Sequence, residues 1–216
     1  MNTTKEKEYN DSLTTADLSR QEAFQPGEYR LLSYSRPSDT DPNGIPTGKL
    51  GNMAGRFHHK LFGVNWYATE HLYLCGEWSL EGNHCREIQE YIRRMPSGVY
   101  AKRCAKARYR NEIRPDFTTF RYDWMLWCVW QKCLLNKDFA DLLTNIPSHY
   151  IIVEKVKNDP VWAAYPDEND VIRGGNAMGK ILTICRKCLL TNTEPAFNKQ
   201  LLNDAGIYIL GQKVEF

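Results

Sequence analysis

The sequence predicts a single, mainly helical domain of the α+β class with a small antiparallel sheet. Three observations support this prediction: apolar residues recur with helical spacing beyond position 69, the stretches with a strand pattern are few and short, and 216 residues, 42% of them hydrophobic, suffice for one core. Residues 1–25 are polar and lack a sustained apolar period. We therefore predict a flexible N-terminal tail, or one loosely docked helix, before a domain at 26–216.

Each element follows from a local pattern. Turn signals rich in Pro, Gly and Asn punctuate residues 26–65 and leave two short strands, at 29–34 and 60–64. Thr69 has the side-chain chemistry of an N-cap for the helix that follows it. Beyond that helix we predict helices at 83–95, 97–108, 118–135, 138–143 and 176–190, a buried strand at 149–156, and a strand and turn at 206–216.

Composition and local sequence predict the state of the cysteines and argue against metal-binding and membrane-spanning segments. Seven cysteines are an odd number and the first residues form no apolar signal segment, so we expect reduced thiols and a cytoplasmic location. Cys185 and Cys188 form a lone C-x-x-C inside a helical pattern, and we predict neither a metal nor a cofactor. No apolar run is long enough to span a bilayer, and a net charge of +2 does not by itself indicate a nucleic-acid partner.

The stretch at 66–78 contains the first candidate catalytic group. Glu70 lies at a helix start, where the macrodipole stabilises its carboxylate unless burial opposes it. Tyr73 and Trp78 could wall an apolar cleft around this carboxylate. The plainer interpretation is a capped amphipathic helix in which Glu70 only compensates the helix dipole.

A dense basic run extends from Arg93 to Arg114. Eight cations stand there against one anion, Glu112, and clusters of this kind bind the phosphates of a nucleotide or of a nucleic-acid backbone. We assign Arg108, Arg110 and Arg114 to nucleic-acid binding. A basic helix that balances acidic segments elsewhere is the alternative.

Asp159 is the second candidate acid. It follows the predicted strand at a Pro-marked turn, and Trp162 lies three residues further on. Cleavage of a glycosidic bond needs one group to protonate the leaving atom and another to direct water or stabilise the oxocarbenium-like sugar. Glu70 and Asp159 could form this pair, with Trp162 stacked on a base or ribose. An Asp-Pro turn beside a core tryptophan is the simpler interpretation.

The third candidate is the glycine-rich entry to the helix predicted at 176–190. Gly174, Gly175 and then Asn176 precede a positive helix end, and their backbone N–H groups would suit a pyrophosphate. The segment matches neither the P-loop nor the dinucleotide-binding glycine pattern. By itself it indicates little about the ligand.

Taken together, these motifs resemble the NADAR family, which is named for its proposed links to NAD and ADP-ribose and includes the YbiA-like N-glycosidases. The resemblance extends over residues 48–190. It rests on Gly51-Asn52-Met53, Thr69-Glu70-His71, Arg114-Pro115-Asp116-Phe117, Met125 with Lys132, Glu154 through Asp159 to Trp162, and Gly174 through Gly179 to Lys180 and Arg186.

The resemblance implies a multihelical fold and hydrolysis of N-glycosidic bonds, with Glu70 as the main catalytic carboxylate and Asp159 as a second functional acid. It implies a substrate pocket that contains Asn52, Met53, Tyr73, Phe117, Trp162, Gly175, Asn176 and Gly179. Phe117 stands where the family often has tryptophan. The turn-rich entry before residue 51 and the Ala101-Lys102 step resemble the branch of antitoxins that remove ADP-ribose from guanine in DNA, whose partners are ADP-ribosyltransferase toxins.

Lys102 is the last candidate catalytic residue. Cations at positions 103, 106 and 108 would favour a neutral amine that attacks the sugar C1 carbon and forms a Schiff base, whereas a phosphate clamp is the plainer role. The leading prediction is an ADP-ribosyl glycohydrolase that acts on guanine in DNA or in a nucleotide. The alternatives are a hydrolase of riboflavin-pathway riboside phosphates and a non-enzymatic binder of ADP-ribose, nucleic acid or a toxin.

Overall fold

The computed structural model describes residues 4–55 and 58–216. Within these residues it contains eight α-helices: α1 (Thr4–Ser12), α2 (Thr69–Cys75), α3 (Asn83–Arg93), α4 (Gly98–Tyr109), α5 (Phe117–Leu135), α6 (Lys137–Thr144), α7 (Ala177–Thr191) and α8 (Lys199–Ala205). The strands are short: β1 (Glu22–Phe24), β2 (Leu31–Tyr34), β3 (His59–Leu61), β4 (Val64–Trp66), β5 (Ile151–Glu154), β6 (Ala164–Pro166), β7 (Ile172–Gly174), β8 (Tyr208–Ile209) and β9 (Gln212–Lys213). The predicted α+β class, with more helix than strand, is confirmed.

The chain divides into two compact units. The first unit consists of residues up to 51 together with residues 137–196, and the second unit consists of residues 52–136 together with residues 197–216. Each unit has its own helices, strands and buried side chains.

The first unit contains the antiparallel sheet, in the order β1-β7-β6, and a separate parallel pair formed by β2 and β5. Phe24, Ile151, Val153 and Ala164 are buried together at the centre of these strands, because alternate side chains of a strand point to one face. Helix α7 packs along β5. This contact brings the glycine-rich entry to α7 close to the end of β5.

Residues 4–24, predicted as part of a flexible tail or of one loosely docked helix, contain α1 and β1. Polar and apolar contacts both hold this segment in the first unit. The Glu6 carboxylate accepts the Arg30 backbone N–H at 3.0 Å, and the side chains of Leu13 and Leu18 are buried. The segment is polar overall, and the few apolar residues that anchor it do not repeat with a helical period.

The second unit is built around α2, all of whose residues are buried. Helices α3, α4 and α5 pack against α2, and α8 packs against α5. The long α5 presents aromatic side chains to this core, including Trp124 and Trp127, whose rings stack with centroids 5.0 Å apart. Gln89 of α3 bonds the hairpin of β8 and β9 by accepting the Leu210 N–H and donating to the Tyr208 carbonyl.

Two local predictions in the second unit are wrong. Ala68, and not Thr69, is the N-cap of α2: the backbone of Ala68 is extended, and Thr69 is the first residue of the helix. The Thr69 hydroxyl lies 3.1 Å from Nε2 of His59. The strand predicted at 60–64 is a hairpin of β3 and β4. Phe62 and Gly63 turn the chain there with positive φ angles of 55° and 73°.

No helix in the described ranges is long and apolar enough to cross a membrane. In the same residues, no three His, Cys, Asp or Glu side chains cluster in a way that could hold a metal ion. Cys185 and Cys188 both lie in α7, where they are buried.

Candidate active site

Glu70, at the start of α2, is a buried carboxylate. Its side chain is only 4% exposed, and its backbone N–H donates to the Asn52 carbonyl at 3.2 Å. Burial raises the pKa of Glu70, and the negative charge of Glu77 raises it further. The positive charge of Lys102 and hydrogen bonding by the Asn52 side chain oppose this rise. The carboxyl group is therefore protonated at a higher pH than an ordinary glutamic acid.

Helix α4 approaches α2 closely because the residues it presents there are small. Gly98, Ala101 and Ala105 are its buried residues, and the Ser97 hydroxyl caps the helix by accepting the Tyr100 N–H. A Cβ atom at Gly98 would lie 3.0 Å from Cβ of Glu70. The next heavy atom, Sδ of Met53, would be 3.1 Å away. Gly98 therefore lets the helix that carries Lys102 lie against Glu70.

A second buried carboxylate, Glu77, follows Glu70 by two helical turns. It forms an ion pair with Lys106, whose ammonium group also lies over the Trp78 ring. Burial raises the pKa of Glu77, and the charge and hydrogen bond of Lys106 oppose the rise. Glu77 was not among the predicted site residues. The signal was present, since Glu70 and Glu77 are seven residues apart and Lys102 and Lys106 are four apart, and both spacings share a helix face.

The predicted substrate-binding residues Asn52, Tyr73 and Phe117 all lie in the second unit. Nδ2 of Asn52 lies 2.8 Å from Sδ of Met125, and its Oδ1 is buried with no hydrogen-bond partner among the described residues. The Tyr73 and Phe117 rings are tilted, with centroids 5.6 Å apart, and each is 6% exposed. These aromatic side chains form a nearly closed wall and leave little surface for stacking on a ligand.

His71 holds α2 in place. Its Nε2 lies 3.1 Å from the Met95 carbonyl, to which it donates, and burial lowers its pKa. Nδ1 is buried and meets no partner in the described part of the chain. A neutral histidine fits these contacts, and its bond to Met95 ties α2 to the turn before α4.

The basic run divides into paired and exposed cations. Arg93 donates to Glu90 at 2.8 Å, and Lys106 is paired with Glu77. Arg103 lies over a tyrosine ring, so the cations expected to crowd Lys102 are engaged with other groups. Arg108 is exposed, with its guanidinium 5.4 Å and 5.2 Å from the centroids of two further tyrosine rings, and Arg110 is also exposed.

The structure contradicts the predicted nucleic-acid contact of Arg114. This side chain is 4% exposed, and its Nε and Nη2 each donate to the Asp116 carboxylate at 2.7 Å. Its Nη1 donates to the Ser79 hydroxyl at 2.9 Å, and its backbone N–H donates to the Glu77 carbonyl. A bidentate ion pair of this kind occupies the guanidinium with the protein itself, so Arg114 is a structural residue.

Asp159 and Trp162 belong to the first unit, where they shape a turn. Oδ1 of Asp159 accepts the Trp162 N–H at 3.0 Å, and its carbonyl accepts the Ala163 N–H at 3.2 Å. Such a bond from an aspartate to a backbone N–H stabilises turns in many proteins. The catalytic role of Asp159 and the stacking role of Trp162 stay predictions.

The predicted pyrophosphate cradle at the start of α7 is wrong. The N–H groups of Gly175, Asn176, Ala177 and Met178 donate to the carbonyls of residues 160–163 at distances of 2.8 to 3.3 Å. Gly175 is needed because a Cβ there would lie 2.4 Å from the Val161 carbonyl oxygen. A neighbouring loop has therefore taken the N–H groups that an anion would need.

Asn176 and Gly179, both predicted to bind substrate, serve packing in the first unit. Nδ2 of Asn176 donates to the Ile152 carbonyl at 2.9 Å, and Oδ1 accepts the Glu154 N–H at 3.2 Å. A Cβ at Gly179 would lie 2.1 Å from the Ile152 carbonyl oxygen. Both residues hold α7 against β5.

We expect Gly179→Ala to destabilise the protein by about 3 kcal/mol, because the new methyl group forces α7 away from β5. The measurement is urea unfolding followed by circular dichroism. Leu190→Ala, at a side chain that is 65% exposed on the same helix, is the matched control and should change stability by less than about 1 kcal/mol. An equally small effect of Gly179→Ala would mean that the close contact with Ile152 is absent.

No family model matches the sequence, and no curated protein matches it. Among solved structures, the chain is similar to the NMR structure of the E. coli protein YbiA, with a TM-score of 0.58 and 21% identity. The likeness covers 78% of this chain and 92% of that chain. This chain has a YbiA-like fold.

Within the YbiA-like fold, the second unit brings Asn52, Met53, Glu70, Tyr73 and Lys102 into one neighbourhood. To these the structure adds Gly98, which sets the distance between two helices, and the ion pair of Glu77 with Lys106. A buried carboxyl group with a raised pKa beside an exposed ammonium group can donate a proton and hold an anionic or carbonyl oxygen.

Proposed function

We propose that this protein is an N-glycosidic hydrolase that removes ADP-ribose from guanine in DNA. The observation that supports it most strongly is the buried carboxyl group of Glu70, next to the charge of Lys102, in a chain with a YbiA-like fold. The sequence resemblance to the antitoxin branch of the NADAR family supplies the substrate.

In the proposed reaction, the bond between the ribose C1 carbon and a guanine nitrogen breaks. Glu70 in its protonated form donates its proton to the leaving nitrogen, and a water oxygen bonds to C1. The proton lost by that water returns to the Glu70 carboxylate. The products are unmodified guanine in DNA and free ADP-ribose, so no oxidant or cofactor is required.

Glu77 and Lys106 support this reaction from the neighbouring turns. The Glu77 charge raises the pKa of Glu70 and thereby favours the acid form that the first step needs. The ion pair with Lys106 favours the charged form of Glu77 in its buried position. Lys102, which is exposed on the same side of α4, is available to bind a phosphate of the ADP-ribose.

The nucleic acid would bind to exposed arginines of the second unit. Arg108 presents a guanidinium that is held over two tyrosine rings, and Arg110 follows it in a turn. We expect the double substitution Arg108→Gln and Arg110→Gln to weaken binding of a modified oligonucleotide and to flatten its dependence on salt, because fewer counterions are released. Binding is measured by fluorescence anisotropy between 50 and 200 mM salt, a range over which phosphate contacts produce changes of orders of magnitude.

The control substrate for these arginines is free ADP-ribosyl-guanosine, which carries no nucleic-acid backbone. Its hydrolysis should be almost unchanged in the double variant. Equal losses on both substrates would instead assign the two arginines to the ADP-ribose.

Substitution of Lys102, together with chemical trapping, tests whether the reaction includes a covalent step. A neutral Lys102 amine can attack C1 and displace guanine, whose nitrogen takes a proton from Glu70. The bond between C1 and the ring oxygen then breaks, and the ring oxygen becomes a hydroxyl with the proton lost by the amine. The resulting imine with the opened ribose is hydrolysed by water to free ADP-ribose. We expect borohydride, added during turnover, to trap no adduct, and Lys102→Arg to retain substantial activity because arginine keeps the positive charge. Mass spectrometry of the intact protein makes the measurement. A trapped adduct that Lys102→Arg cannot form would replace direct attack by water with the imine route.

The proposed activity is tested by incubating the full chain with an oligonucleotide that carries ADP-ribose on guanine and weighing the products. Release of ADP-ribose with an intact, unmodified oligonucleotide is the expected result. Tight binding without release would favour a non-enzymatic binder. Hydrolysis of a riboside phosphate alone would favour the small-molecule alternative.

A further inference from the structure

The first unit contains a cavity that the proposed glycosidic chemistry does not use. Its volume is about 440 Å³, and it lies among the end of α1, the loop between α6 and β5, and α7. The polar side chains that matter here are those of Asn10, Asp11, Thr183, Arg186 and Lys187.

Arg186 is the unusual member of this set. The residue is only 4% exposed, although it lines the cavity. Its Nη1 donates to the carbonyl oxygens of Ile146 and Pro147 at 3.3 Å and 3.5 Å, which are long hydrogen bonds. Throughout residues 4–55 and 58–216, no side chain or carbonyl accepts from its Nε or Nη2, and no carboxylate lies at ion-pair distance.

A buried guanidinium without a counter-charge is costly, because its desolvation is not offset by an ion pair. Burial lowers the pKa of Arg186, and Asp11 opposes this effect, yet arginine stays charged at neutral pH. The edge formed by Nε and Nη2 is the edge with which a guanidinium commonly holds two oxygens of one oxyanion. The side chain is therefore built to meet an anion that the protein does not supply.

The walls of the cavity are held in place by their own hydrogen bonds. Nδ2 of Asn10 donates to the carbonyls of Ser148 and Tyr150, both at 2.9 Å, which ties α1 to the loop before β5. The Thr183 hydroxyl donates to the Gly179 carbonyl inside α7. Since these contacts leave the walls preformed, a ligand would not have to order them.

Charges at the rim of the cavity are mixed but positive in sum. Nζ of Lys187 donates to the Asp11 carbonyl at 2.7 Å, which holds the ammonium group near the cavity. The Asp11 carboxylate is exposed on the same side and opposes an anion. With Arg186 included, two cations stand against one carboxylate.

We propose that this cavity binds a phosphate group, free or as part of a nucleotide, through Nε and Nη2 of Arg186, with Lys187 as a second positive charge. All of its residues belong to the first unit, whereas Glu70 and Lys102 belong to the second. It would couple the stability of that unit to a phosphorylated ligand.

The test titrates the full chain with inorganic phosphate by isothermal calorimetry, in a buffer of fixed ionic strength. We expect wild type to bind, Arg186→Lys to bind at least about tenfold more weakly because the two-donor edge is lost, and Asp11→Asn to bind more tightly. Lys187→Gln should weaken binding several-fold. Glu70→Gln should bind as wild type does, whatever the outcome for the proposed hydrolysis.

The exposed variants Asp11→Asn and Lys187→Gln keep the test decisive if Arg186→Lys fails to fold, as judged by circular dichroism. Unchanged phosphate affinity in both exposed variants would overturn the proposal, as would equal affinity for acetate or no binding at millimolar phosphate. Titration with adenosine monophosphate identifies the source of the phosphate group. Tighter binding of the nucleotide than of phosphate supports a nucleotide site, and equal binding supports a site for free phosphate.

Discussion

Replacing Glu70 with glutamine is expected to leave the protein folded and to lower the rate of ADP-ribose release at least about 100-fold, a typical loss for a positioned acid. Glutamine has nearly the same shape, so the packing of Gly98 against residue 70 is preserved. The amide cannot deliver a proton to the leaving guanine. The rate is measured by single-turnover release of ADP-ribose, with circular dichroism as the check on folding.

The dependence of this activity on pH follows from the direction of the pKa shift. The acid form of Glu70 is the reactive one, and burial raises the pKa of this group, so the rate should hold to a higher pH than an ordinary carboxyl group allows. As pH rises through the raised pKa, the rate should fall. Glu77→Gln is the matched control for Glu70→Gln, because it makes the same substitution at another buried glutamate.

Removing the Glu77 charge lowers the pKa of Glu70, so Glu77→Gln should move the alkaline limb of the profile to lower pH without the loss seen in Glu70→Gln. If Glu70→Gln turned over at the wild-type rate, the carboxyl group would have no part in the reaction. If Glu77→Gln left the profile unmoved, Glu77 would serve packing alone.

The second large expected effect is a dependence of stability on pH that comes from Lys132, whose side chain in α5 is buried. Burial lowers its pKa to about 7, against an ordinary value of 10.5. Between these two values the unfolded chain holds a proton on this lysine that the folded chain has released. The free energy of unfolding therefore rises with pH in this window, by up to about 1.4 kcal/mol per pH unit. Below pH 7 the burial of the charged lysine destabilises the folded state by its full amount, and this destabilisation decreases as pH rises through the window.

We expect the difference in unfolding free energy between wild type and Lys132→Met to grow by about 2 kcal/mol from pH 6.5 to pH 8.5, in favour of wild type. Urea unfolding at several pH values makes the measurement. Above pH 8.5 the buried thiols of Cys75 and Cys128, whose pKa values burial raises, lower the stability of wild type and variant alike, so the comparison ends there. A constant difference across the window would show that Lys132 keeps its proton in the folded state.

Local patterns were sufficient for helices α2 to α7 and for part of the site. Ser97 ends a turn and caps α4 with its own side chain, so the start of that helix is encoded within four residues. The apolar period similarly predicts a helix at 118–135, and α5 begins one residue earlier and ends at the predicted residue. Glu70 was selected as a carboxylate at a helix start among aromatic residues, and the family resemblance assigned it the catalytic role.

Contacts between distant segments account for what was missed. Glycines before a helix favour an anion site only when their N–H groups are open, and the 160–163 carbonyls that occupy them are invisible in the pattern at 174–180. Arg114 is likewise withdrawn from the surface by Asp116, Ser79 and Ala205, of which only the first is near in sequence. The partnership of Glu77 with Lys106 joins residues 29 positions apart.

The stacked indoles of α5 give the second unit its own optical signature. Five of the six tryptophans lie in this unit, at positions 66, 78, 124, 127 and 130, and Trp162 is the exception. Intrinsic fluorescence consequently reports mainly on the second unit. Indole rings stacked 5.0 Å apart at 124 and 127 should couple their excited states, and the near-ultraviolet circular-dichroism signal of this pair should be lost when α5 loosens.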